Sequence, residues 1–175
     1  MDRTAFWYVA FQQSKFVLLS LVVFYLFLLP VDFVPGRFYP PNFVLVLAIA
    51  SVIRMPQLLP VWLVFVVFLL QDILLYHPLG LSSLTMILVT LYLKTMRMST
   101  QGMNFGTEWG FVGIVLILAT IFREMLLIVI FADRNPIFGT FAELAVTILY
   151  YPVAVLCISL LFKAAIVEKQ KADDA

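Results

Sequence analysis

Apolar runs bounded by charge, proline and glycine divide the chain into six segments, about 16–34, 40–53, 58–76, 79–93, 109–131 and 141–162. A helix needs about 20 apolar residues to cross roughly 30 Å of hydrocarbon, so each segment reads as a candidate span. Their lengths are unequal. The second and fourth, about 14 and 15 residues, make only about 21 to 23 Å of helix, which calls for a locally thinned bilayer or help from flanking residues. Pro40-Pro41 can start the second helix and Pro60 can sit in the first turn of the third, where a missing N–H costs little. Tyr150-Tyr151-Pro152 falls midway along the sixth and predicts a bend, because proline removes a backbone hydrogen bond and crowds the preceding turn.

Composition turns this pattern into a fold class. The 175 residues are 64% hydrophobic and 12% charged, with a mean hydropathy of +1.09, far above the roughly half-apolar mix of a water-soluble domain. The expectation is an all-α integral membrane protein, one polytopic domain over 1–175 built as a bundle of about six transmembrane helices. The run 16–29 behind Arg3 and Lys15 is similar to a signal peptide, but Pro30-Val31-Asp32-Phe33-Val34-Pro35 follows it with no small-x-small cleavage site, so it is read as the first span.

Charge sets the orientation and removes several functions. A net charge of +1 without a long basic run argues against nucleic acid. Lone Cys157 and lone His77 leave no internal disulfide and too few ligands for zinc. Cytoplasmic loops are enriched in Lys and Arg. With the N-terminus inside, Arg3, Lys15, Arg54, Lys94, Arg97, Lys163, Lys169 and Lys171 fall on the cytoplasmic side against Arg37 and Arg134 outside. Both termini are therefore expected inside. A five-span alternative, with the second segment re-entrant, would place the basic loop 94–108 on the wrong face. Trp7, Tyr8, Trp62 and Trp109 mark interfacial boundaries.

Polar residues inside such segments are expensive and need water, a partner or protonation. Asp72 follows a nearly unbroken apolar run over 58–70, and the outer interface about 6 Å away offers it water. Arg123 and Glu124 lie deep in the fifth segment and make a polar stripe with Thr120. Asp72 and Arg123 share the outer half and are candidates for a buried ion pair; Glu124 or a lipid phosphate is the alternative partner of Arg123. Glu143 opens the last span, where a carboxylate complements the helix dipole. No Gly-rich phosphate loop, no nucleophile with a base and no pair of broken-helix repeats is present, so neither enzyme chemistry nor a cofactor is expected.

The runs Pro40-Pro41-Asn42-Phe43-Val44-Leu45, Arg54-Met55-Pro56, Leu69-Leu70-Gln71-Asp72 and Pro78-Leu79-Gly80-Leu81 resemble the rod shape-determining protein MreD family. There a Pro-Asp or Pro-Asn leads into an apolar helix, a Gly-Leu-Leu-x-Asp pattern ends the next, and Leu-Gly follows. Phe68 departs from it, standing where that pattern commonly has Gly. The motifs cover about a quarter of the chain; length and the nearly loopless layout agree over all of it. The resemblance implies a fold similar to the substrate-binding subunits of energy-coupling-factor vitamin transporters. It also implies a non-catalytic subunit of the bacterial elongasome in the inner membrane, required for cell shape and side-wall peptidoglycan synthesis. MreC would be its main partner, with MreB, RodA and a class B penicillin-binding transpeptidase in the same assembly. Asn42, Asp72, His77, Pro78, Gly80, Arg123, Glu124 and Glu143 are then the candidate outward-facing polar pocket, used by a partner segment. A small-molecule-binding subunit of a vitamin transporter is the competing reading, and a lipid-handling protein a third.

Overall fold

The computed structural model describes residues 3–28, 41–56, 59–96, 104–131 and 136–161. All regular structure among them is helical: α1 (Arg3–Leu28), α2 (Phe43–Arg54), α3 (Val61–Leu74), α4 (Leu81–Thr95), α5 (Phe105–Val129) and α6 (Ile137–Leu161). Three of these, α1, α5 and α6, carry apolar stretches long enough to cross a membrane, which makes the chain compatible with a membrane helical bundle. The other three have 12, 14 and 15 residues, or about 18 to 22 Å of helix, well under a hydrocarbon thickness of about 30 Å. The third segment is thus shorter than its apolar run of 58–76, because Pro60 becomes the N-cap of α3 and the backbone leaves the helix at Leu75. The second begins at Phe43 rather than at Pro40, since the Asn42 side chain accepts the Leu45 N–H at 3.1 Å and so sets the first turn.

Burial separates the short helices from the long ones. Along α2, Val44 and every position from Val46 to Val52 are buried, so the helix is enclosed on most sides. The long helices bury one stripe and turn the rest outward: Leu18, Leu21, Val22 and Tyr25 on α1; Ile114, Ile117, Leu118 and Ile121 on α5; Leu149, Val153, Leu156 and Leu160 on α6. Large apolar faces of this kind suit hydrocarbon better than water. Phe16, Val46, Ile49, Phe68, Met86, Leu116, Tyr151 and Ile158 are among the side chains that fill the centre.

The helices meet at two ends, named here by the residues that flank α2. At the Asn42 end α2, α4 and α6 begin while α3 and α5 finish; at the Arg54 end the order reverses. α3 and α5 both finish through a residue in left-handed conformation, Tyr76 (φ 54°) and Phe131 (φ 52°), and both rings are almost wholly exposed. Gly80 (φ 86°) reverses the chain into α4, a conformation that costs glycine little. α6 continues unbroken through Pro152. The charges Arg37, Arg97, Arg134, Lys163, Lys169 and Lys171 lie outside the described residues, as do Pro30 to Pro40.

Candidate functional site

The Asn42 end is built from helix caps. Gly80, the N-cap of α4, offers no side chain, and its place is taken by Asp72 from the end of α3, whose Oδ2 accepts the Ser82 N–H at 3.2 Å. The Asp72 carbonyl accepts the His77 N–H at 2.9 Å, and the Pro78 carbonyl accepts that of Leu81 at 3.2 Å. The corner from Asp72 to Ser82 therefore satisfies much of its own backbone. Asp72 is 0% exposed, and the expected ion pair with Arg123 is not formed: the carboxylate spends one oxygen on the α4 N-terminus instead, and its Oδ1 is buried without a partner. On the neighbouring helix, the Asn42 N–H donates to Thr147 Oγ1 at 3.2 Å, which fastens α2 to α6.

A cleft of about 50 Å³ lies between these elements. Asn42, His77, Arg123 and Glu143 all line it, so four of the eight candidate residues converge on one space, with Ser82, Thr120, Thr140 and Thr147 contributing hydroxyls and Phe68, Leu116 and Ala119 an apolar wall. Glu143 is not the helix-opening residue the sequence pattern predicted. α6 starts at Ile137, so this carboxylate sits in the second turn, half-buried, beyond the reach of simple dipole capping. Glu124 is half-buried and does not line the cleft. Pro78 and Gly80 shape the corner without lining it. His77 Nδ1 is buried with no hydrogen-bond partner. Burial, and then the Arg123 guanidinium, push its pKa below the ordinary 6.5, while the Asp72 carboxylate pulls the other way. The imidazole is therefore held neutral.

The Arg54 end holds a second cluster that the hydrophobic pattern did not reveal. One guanidinium nitrogen of Arg54 donates to both carboxylate oxygens of Glu108 at 3.1 Å, and the buried Tyr151 hydroxyl donates to Glu108 Oε1 at 2.6 Å. Glu108 is itself buried in the first turn of α5, where a carboxylate also answers the helix dipole. Next to it, the Trp109 indole N–H donates to the Ile148 carbonyl at 2.9 Å. That carbonyl is the one Pro152 cannot serve, since proline has no N–H to donate four residues back. Adjacent residues of α5 thus hold α6 over the turn that precedes its proline. Lys94 closes the same end by donating to the Leu59 carbonyl at 2.7 Å. The readable signal was Asn104 followed by Glu108, a helix start four residues earlier than the apolar run begins.

Fold and site together define a helical protein whose three long apolar helices point to a membrane, with one hydrogen-bonded polar network and one open polar cleft. No family model, curated protein or solved structure matches the chain.

Proposed function

We propose that the chain is a non-catalytic subunit of the bacterial elongasome, similar to the MreD family, that crosses the inner membrane six times with both termini in the cytoplasm. In this reading α2, α3 and α4 cross a locally thinned bilayer with help from their connectors. The protein works by holding MreC, and through it RodA, the class B transpeptidase and MreB, in one assembly.

The observation that carries the reading is where the family-like residues fall. Asn42 caps α2, Asp72 caps α4 from α3, and Gly80 supplies the left-handed turn between them. The motif that resembles the family is therefore the motif that builds one end of the bundle. Connectors between consecutive helices run from 6 residues (55–60 and 75–80) to 14 (29–42), so partner contacts rest on helix faces and these short turns. Association in lipid depends on close packing and polar pairing, and the apolar outer faces of α1, α5 and α6 offer the packing surface. The vitamin-binding reading is disfavoured by the size of the cleft: about 50 Å³ against the roughly 300 to 1,000 Å³ usual for small-molecule pockets.

Depletion of the protein from a rod-shaped bacterium, followed by microscopy, tests this. Cells that round up support the scaffold reading. Cells that keep their shape and acquire a vitamin requirement support the transporter reading instead.

A further inference from the structure

Two opposite charges face the cleft at the Asn42 end, and neither the Arg123 guanidinium nor the Glu143 carboxylate has a hydrogen bond or ion pair among the described residues. Both are half-buried, so each has given up part of its hydration, and their opposite charges attract across the cleft without touching. An anion in the cleft would answer Arg123 and be repelled by Glu143; a cation would do the reverse. A compact zwitterion answers both. The Thr140 hydroxyl lies on the same lining. At about 50 Å³ the space suits small polar groups.

Position selects the source of the zwitterion. Arg123 lies six residues before the end of α5 at Val129, about 9 Å in from that end, a depth that phospholipid headgroups and the first carbons of their chains occupy. Ile121 and Phe141, next in sequence to the cleft residues Thr120 and Thr140, are exposed apolar side chains against which acyl chains can lie. We propose that this cleft binds the headgroup of an aminophospholipid, with the phosphate at Arg123 and the primary ammonium at Glu143. The proposal requires the chain to sit in a bilayer and does not depend on which assembly it belongs to.

The test uses the full chain in an uncharged maltoside detergent, with phosphatidylethanolamine or phosphatidylglycerol added and retained lipid read by native mass spectrometry. One phosphatidylethanolamine per chain should be retained, in preference to phosphatidylglycerol. Arg123→Gln and Glu143→Gln should each lower its retention about tenfold, the scale of one charge-assisted hydrogen bond. Arg123→Lys, which keeps the charge, should retain most of it, as should Thr95→Ala on the exposed surface at the other end of the bundle. Unfolding midpoints of every variant without lipid separate lost folding from lost binding; if Arg123→Gln does not fold, Glu143→Gln and Arg123→Lys decide. Retention unchanged by Glu143→Gln, or phosphatidylglycerol held as firmly as phosphatidylethanolamine, overturns the zwitterion. Displacement of the lipid by soluble phosphoethanolamine overturns the lipid as its source.

Discussion

The two ends of the bundle hold similar polar inventories and use them in opposite ways. At the Arg54 end a cation, a carboxylate and a phenol from three helices bond to one another. At the Asn42 end a cation, a carboxylate and an imidazole from two helices and a turn share a cleft without bonding to each other. Burial of the cation does not explain the contrast, since Arg54 and Arg123 are both half-buried. Direct bonding does. Charges bonded across three helices rigidify a bundle, whereas opposite charges held apart around a cavity are costly unless something bridges them. Structure is assigned to the first end on this ground and binding to the second.

The largest expected effect strikes the closed end. Glu108→Ala takes the carboxylate away from both Arg54 and the buried Tyr151 hydroxyl and should cost about 3 kcal/mol, the lower range for breaking a buried pair, because the Arg54 side chain is 36% exposed. Tyr151→Phe removes one hydrogen bond and should cost about 1 kcal/mol. Unfolding midpoints in detergent give both values. A Glu108→Ala protein as stable as the parent would abolish the contrast between the ends.

A smaller effect is expected at the corner where cap and cleft adjoin. Asp72→Ala should destabilise by about 1 to 2 kcal/mol through loss of the α4 cap. Exchanging Asp72 and Arg123 should restore nothing, because the two form no pair; recovered stability in the double exchange would show that they do pair.

The smallest effect concerns pH. His77 has a folded pKa below its unfolded value near 6.5, so above that value both states are neutral and the residue contributes no slope. As pH falls below 6.5 the unfolded chain takes up the proton first, and stability is lost until the folded pKa is reached. The unfolding midpoint should therefore fall over that acidic window in the parent, and fall less in His77→Gln. Identical slopes would mean that Arg123 and burial do not act on this imidazole.

Helices and their order were legible because lipid-facing and core residues are alike apolar, and six apolar runs separated by proline and charge leave few alternatives. Boundaries were less legible. Residues 105–108 read as loop for want of apolar character, and that hid both the true start of α5 and the Glu108 network. Partner choice was least legible of all. Span order puts Asp72 and Arg123 in the same half of the molecule, yet periodicity along a helix says nothing about which donor on another element a carboxylate will face, and here the Ser82 N–H behind a glycine N-cap claims it. Taken singly, Trp109 marks a boundary and Pro152 a bend, while the Ile148 carbonyl joins them across two helices.

The division between a structural end and a binding end is tested most directly by measuring stability and retained phosphatidylethanolamine together on two carboxylate variants, Glu108→Gln and Glu143→Gln. Glu108→Gln should lower the unfolding midpoint and leave lipid retention intact in the folded fraction, while Glu143→Gln should lose the lipid about tenfold with a lipid-free midpoint close to the parent's. The reverse assignment, or two variants that lose stability and lipid in the same proportion, would contradict it.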